Sequence, residues 1–137
     1  MFRIGINMDD VIELDDQSWK KTVENGDKPV FVMFYSVGCP NCETMKPHFA
    51  EYAKDFRNRV VFAKINIHDN LKTARKYGVL GVPTFKFFCG GHPVQEIVGA
   101  VYPYLLKKSV EDAFKHGPQC VTNTTWIDPC CYRLFID

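Results

Sequence analysis

The sequence predicts an α/β protein: a central mixed sheet flanked by helices on both faces, in the order β-α-β-α-β-α-β-β-α. Three observations predict it. Short apolar runs alternate with segments of helical period through most of the chain, and Gly, Pro or Asp residues punctuate the junctions. The last two apolar runs adjoin across Cys89-Gly90-Gly91-His92, a hairpin signal. Alternation implies strands joined by crossover helices, and the closing hairpin adds antiparallel strands. With 137 residues, 46% of them hydrophobic and 14% aromatic, the chain has the length of one domain and enough apolar material for a core without staples.

The elements follow in order. Val11, Ile12 and Leu14 make a short apolar strand. Asp16 is expected to cap a brief helix carrying Trp19 and Val23, closed by Gly26. Pro29 to Tyr35 is nearly continuous in apolar residues, as in a strand buried on both faces. Cys39 and Cys42 come directly after it. From Cys42 to about Arg57, the residues Met45, Phe49, Ala53 and Phe56 recur at helical spacing, with Pro47 inside the helix and expected to kink it. Val60 to Ile67 reads as the next buried strand. Asp69 is expected to cap a short helix that runs to Tyr77 and stops at Gly78. Thr84 to Phe88 and Val94 to Val98 are the hairpin strands. Pro103 opens a last helix with Leu105, Leu106, Val110, Ala113 and Phe114 inward, and Gly117 closes it. The expected organisation is an N-terminal extension at 1–8, one domain at 9–116 and an irregular cysteine-containing tail at 117–137. No internal repeat or low-complexity segment is present.

Composition excludes several function classes. A net charge of +1 and a pI near 7.6 argue against a nucleic-acid binder. The longest apolar run, Pro29 to Tyr35, is too short to cross a bilayer. Met1 to Asp10 lacks the basic-then-apolar pattern of a signal, so the expectation is a soluble cytoplasmic protein, or an extracytoplasmic one if a signal was trimmed. The six cysteines are not evenly spread as in a small secreted scaffold: Cys39 and Cys42 pair closely, Cys89 is isolated, and Cys120, Cys130 and Cys131 fall in the tail.

A cysteine pair at the end of a buried strand and the start of a helix has a direct chemical consequence. Backbone N–H groups at a helix N-terminus are unpaired and carry partial positive charge. A sulfur placed there is stabilised as thiolate, and the thiolate is the nucleophile. Pro40 suits the first helical position because it has no donor to leave unpaired. Cys42, one turn on, is expected to be more buried, which makes Cys39 the attacking thiol and Cys42 the resolving one. The competing reading is a structural pair or half a zinc site. Zinc wants four ligands, and neither the adjacent Cys130-Cys131 nor the scattered His48, His68, His92 and His116 complete such a set. No metal and no cofactor are expected.

The stretches Val32 to Cys42, Lys46-Pro47, Ala63 to Ile67 and Tyr77 to Phe85 resemble the thioredoxin family. Val11 to Leu14 followed by Trp19, and Val98-Gly99 before the last helix, extend the likeness over residues 9–116. The resemblance implies a thioredoxin fold and a cis bond at Val82-Pro83 beside the cysteine pair. It also implies a substrate groove lined by Gly38, Val82 and Pro83, where an extended chain can pair with free backbone. Two departures stand out. Gly38 replaces the family's usual tryptophan, and Met33 falls where the family has a buried carboxylate that helps deprotonate the second cysteine. Lys64 matches the family's strand lysine near that spot and is a further candidate for the catalytic set; Glu43 reads as a surface charge.

The leading expectation is a thiol–disulfide oxidoreductase, a thioredoxin-like enzyme that reduces protein disulfides as a monomer and is recharged by a separate reductase. The alternatives are an oxidase or isomerase of an oxidising compartment, and a metal-binding or protein-interaction module on the same scaffold. Gly90-Gly91 reads as a plain turn, and Cys89 as a small apolar residue near a strand end. Tyr35 and most phenylalanines read as core. Asn123-Thr124-Thr125 fits a glycosylation acceptor only in an exported protein. For Cys120, Cys130 and Cys131 a tail disulfide, a second redox relay, metal binding and no role all remain open.

Overall fold

A computed structural model describes residues 10–115, with side chains through residue 113. The expected extension at 1–8, the tail at 117–137 and the Gly117 stop lie outside the described residues. Five strands form one sheet: β1 (Val11–Leu14), β2 (Val30–Tyr35), β3 (Val61–Asn66), β4 (Thr84–Cys89) and β5 (His92–Val98), in the spatial order β1-β3-β2-β4-β5. β3 runs parallel to both β1 and β2, whereas β4 is antiparallel to β2 and to β5. The central position of β2 accounts for its continuous apolar run. Val30, Phe31, Val32, Met33 and Phe34 are all 0–1% exposed, because helices cover both of its faces.

The helices are α1 (Asp16–Trp19), which passes into one π-helical turn at Lys20–Glu24, then α2 (Pro40–Asp55), α3 (Leu71–Lys76) and α4 (Tyr104–Lys115). Alternate residues of each strand sort them into two layers. Phe31 and Met33 face Met45, Phe49 and Ala53 of α2 and Leu106 and Val110 of α4. Val30, Val32 and Phe34 face Trp19 and Val23 on one helical segment and Ala74 of α3. In the α2–α4 layer, the rings of Phe31, Phe49, Phe62, Phe85 and Phe87 lie with centroids 5.0 to 6.2 Å apart. Burying each such side chain contributes on the order of 1.5–3 kcal/mol. α2 continues through Pro47, which cannot donate to the Glu43 carbonyl one turn back.

Helix starts differ from expectation in an informative way. Asp15, not Asp16, caps α1: its carboxylate accepts the Ser18 N–H at 2.7 Å, and its own N–H donates to the Ser18 hydroxyl at 3.0 Å. Those bonds hold the Asp15 carboxyl below its ordinary value, the Ser18 backbone bond being the largest cause. Asp16 instead reaches 57 residues along the chain, accepting from the Thr73 N–H at 3.0 Å and the Thr73 hydroxyl at 2.6 Å in the first turn of α3. Asn70 rather than Asp69 occupies the cap position of α3. Its side chain accepts the Asp16 N–H at 2.9 Å and donates to the Asn66 carbonyl at 3.0 Å. Two adjacent aspartates look equivalent in sequence; tertiary packing assigns one to each helix.

The β4–β5 hairpin forms as expected. Gly90 and Gly91 both have positive φ, 59° and 86°, the geometry a two-residue turn demands when its twist must match the strands. β5 begins at His92, two residues earlier than its apolar pattern suggests. Among the described residues no helix is long and apolar enough to cross a membrane.

Candidate active site

Cys39 occupies the N-cap of α2 with extended backbone, φ −95° and ψ 111°, and Pro40 takes the first helical position. The Glu43 N–H donates to the Cys39 carbonyl at 3.1 Å, closing the first turn. The Cys39 sulfur accepts the Cys42 N–H at 3.1 Å. Cys39 is half-buried, whereas Cys42 is 0% exposed. The two are joined as a disulfide, their α carbons 5.2 Å apart, a spacing that a disulfide spans without moving the backbone. A sulfur at a helix N-cap with a backbone donor aimed at it is a place where negative charge is stabilised.

The Val82-Pro83 bond is cis. It brings the Val82 carbonyl within 4.0 Å of the Cys39 sulfur. The turn is held on both sides: the Thr84 hydroxyl donates to the Gly81 carbonyl at 2.6 Å, and the Gly99 N–H donates to the Pro83 carbonyl at 2.7 Å. Pro83 is buried and Val82 half-buried, just before Thr84, the first paired residue of β4. Gly38 precedes Cys39 with φ of 82°, and nothing lies within 4 Å of where a β carbon would stand. Backbone conformation, not crowding, therefore favours glycine there. Val37 and Leu80, two residues before Cys39 and Val82 in the chain, are 80% and 97% exposed.

Met33 is fully buried on the same face as α2, opposite Lys64 on β3 and Phe85 on β4. Its cross-strand neighbour Lys64 is the polar residue of that pairing. Lys64 Nζ is 3.8 Å from Glu13 Oε1 and 5.6 Å over the Tyr35 ring, and the Tyr35 hydroxyl donates to Glu13 Oε2 at 2.8 Å. Lys64 thus sits with Glu13 and Tyr35. Sequence reasoning passed over both partners. Tyr35 reads as core, yet only its ring packs there while its hydroxyl is engaged by Glu13; burial, then that carboxylate, raise the phenol well above its ordinary value. The parallel register sets Glu13 beside Lys64, and no local pattern in the sequence announces that pairing. Glu43 forms an exposed pair with Lys46 at 3.1 Å, in keeping with a surface charge.

Cys89 corrects an expectation. It is 1% exposed, as a small apolar residue would be, but it is disulfide-bonded. Its burial hid a covalent role that composition alone does not reveal. Among the described residues no three His, Cys, Asp or Glu side chains are grouped to hold a metal ion.

Comparison with known proteins adds a third line. The family model described as Thioredoxin matches residues 10–112. Over 102 residues the chain is 37% identical to thioredoxin M4, chloroplastic, of Arabidopsis thaliana, covering 74% of this chain and 53% of that protein. It is 35% identical over 86 residues to the thioredoxin of Alicyclobacillus acidocaldarius subsp. acidocaldarius, covering 63% of this chain and 81% of that one. It is also 36% identical over 101 residues to the bifunctional thioredoxin reductase/thioredoxin of Mycobacterium leprae, covering 74% and 22% respectively. The chain therefore spans about half the length of the first relative, most of the second and a fifth of the third.

Proposed function

The chain belongs to the thioredoxin family, and from that premise we propose that it is a thiol–disulfide oxidoreductase that reduces disulfides in protein substrates. The observation that carries this reading is the Cys39 sulfur at the α2 N-cap, bonded to Cys42, accepting the Cys42 N–H and lying beside the Val82 carbonyl. Cys39 thiolate attacks one sulfur of the substrate disulfide, forming a mixed disulfide and releasing the other substrate sulfur as thiolate. Cys42, deprotonated, then attacks the Cys39 sulfur. The second substrate thiol leaves, and the Cys39–Cys42 disulfide remains, carrying the two electrons' worth of oxidation. The half-buried position of Cys39 and the full burial of Cys42 support this division of roles.

Gly38, Val82 and Pro83 form the groove that receives the substrate. Exposed Val37 and Leu80, two residues before Cys39 and Val82 in the chain, give apolar contact to an extended peptide, which favours a protein over a small disulfide. Met33 cannot take a proton, so Cys42 is deprotonated by solvent or by the departing substrate thiolate rather than by a buried acid. Lys64, opposite Met33 and held by Glu13 and the Tyr35 ring, is a further candidate for the catalytic set. A separate reductase must return the pair to dithiol. The Mycobacterium leprae relative, which by its name joins a thioredoxin reductase and a thioredoxin, supports such a partner. The chain acts as a monomer on the cytoplasmic side, where a reductant is kept reduced.

Two measurements test this. Cys39→Ser should lose turnover to background, at least about a thousandfold, and Cys42→Ser should accumulate a mixed disulfide with a disulfide-bonded test protein on non-reducing gels. Failure to trap that adduct would reject the role assignment. The reduction potential decides direction: a value near about −270 mV supports a reductant, and one between roughly −180 and −120 mV would reverse the reading to an oxidant or isomerase.

A further inference from the structure

Between Glu96 and Lys107 no residue carries a charge. Such a run reads as core, and Leu106 at its end is 0% exposed. Yet Val98, Tyr102 and Tyr104 are 59%, 79% and 59% exposed. One exposed apolar residue is ordinary; three on a short uncharged segment mark a contact surface. The segment is also held in place. The Leu105 N–H donates to the Tyr102 carbonyl and the Leu106 N–H to the Pro103 carbonyl, both at 2.9 Å. Pro103 fixes its own φ, and Leu106 fastens the start of α4 to the aromatic layer. An aromatic ring displayed on a fixed backbone binds with little ordering cost.

The same segment adjoins the reacting sulfur. The Cys39 sulfur lies 4.0 Å from the Val82 carbonyl, and the next carbonyl, that of Pro83, accepts the Gly99 N–H at 2.7 Å. Gly99 leads directly into a cleft of about 460 Å³ lined by Ala100, Val101, Tyr102, Pro103 and Leu105. That volume falls in the range of sites that hold a small organic group. A protein disulfide that exchanges with Cys39 must lie against this surface, and five extended residues span about 17 Å. We propose that the cleft is a substrate subsite. It takes a large apolar side chain, an aromatic one best, within about five residues of the reacting cysteine of a polypeptide. The inference rests on the exchange reaction proposed above and adds a substrate class to it. Tyr102 sets the preference, because its ring can meet a second ring edge to face or offset. A charged side chain would lose its water there without gaining a polar partner from Ala100, Val101, Pro103 or Leu105.

Competitive trapping tests this. The full-length Cys42→Ser protein is offered an equimolar pair of peptides, each holding one cysteine as its mixed disulfide with glutathione. The two are identical except that one carries Phe where the other carries Ser, and that position is moved from two to five residues on either side of the cysteine. The Cys39 adducts are counted by mass spectrometry at equilibrium. At one or more positions the Phe peptide should be favoured by about tenfold. Adding Tyr102→Ser should bring the ratio to within about twofold, and Tyr102→Phe should retain the preference. Both peptides compete for the same folded molecules, so a loss of stability in a variant leaves the ratio unchanged. A ratio near one at every position, or a preference that survives Tyr102→Ser, would overturn the subsite. Trapping needs no turnover, which separates the two readings. Equal trapping with intact disulfide reduction by the wild-type protein removes the subsite alone. A Tyr102-dependent preference without such reduction removes the reductase reading and upholds the subsite.

Discussion

The two faces of the sheet are built from alternate residues of the same strands, yet they spend their polar contacts differently. On the α1–α3 face, Asp16, Asn70 and Thr73 tie two short helices together, and the Trp19 indole N–H donates to the Tyr77 hydroxyl at 3.2 Å. Every one of those bonds serves the fold. On the α2–α4 face, an aromatic cluster anchors one long helix whose first turn presents its donors to a sulfur. Helices of four to six residues cannot hold themselves together, so the first face needs cross-chain capping. The 16-residue α2 is secured by its own apolar stripe and leaves its N-terminus free for chemistry.

That contrast can be broken in a graded series. Phe49→Ala should cost about 3–5 kcal/mol in urea unfolding, with Trp19→Ala on the opposite face costing a similar amount. The comparison is sharpened by activity: per folded molecule, kcat/KM should fall in the Phe49 variant, whose loss loosens α2, and stay constant in the Trp19 variant. Equal loss in both would show that the faces are not independent. Asp16→Ala removes two bonds to α3 and should destabilise by about 1–3 kcal/mol, again with unchanged turnover of the folded fraction.

Smaller effects follow from charge. Because the folded protein holds the Tyr35 phenol above its ordinary value, the neutral form is favoured by folding. Its contribution is complete below pH 10, the unfolded value, and is lost as pH rises above it toward the folded value. Tyr35→Phe should therefore flatten the alkaline limb of a stability–pH profile, and the phenolate absorbance titration should lose its latest-ionising group. Lys46→Ala removes only an exposed pair with Glu43 and should shift stability by no more than about 0.5 kcal/mol.

Much of this was legible in sequence because it is local. The β2 run, the Pro40 start of α2 and the Gly90-Gly91 turn each follow from a few neighbouring residues. The cysteine pair was readable for the same reason, its chemistry being set by its place between strand and helix. Contacts that link distant segments were not readable. Nothing near Asp16 announces Thr73, nothing near Lys64 announces Glu13, and the covalent partner of Cys89 has no local signature. Met33 shows the same limit from the other side: its burial was evident, but which polar groups lie across the sheet from it depends on strand register.

The position of Trp19 has a spectroscopic consequence. Its ring lies 5.3 Å from those of Tyr77 and Phe88, and the sheet separates it from α2 and the cysteine pair. With Gly38 before Cys39, no indole adjoins the disulfide among the described residues. Contact quenching by a disulfide works only at short range, so the emission of Trp19, isolated in a Trp126→Phe background, should follow unfolding and stay the same whether the pair is open or closed. An optical probe of the redox state would have to be introduced on the other side of the sheet.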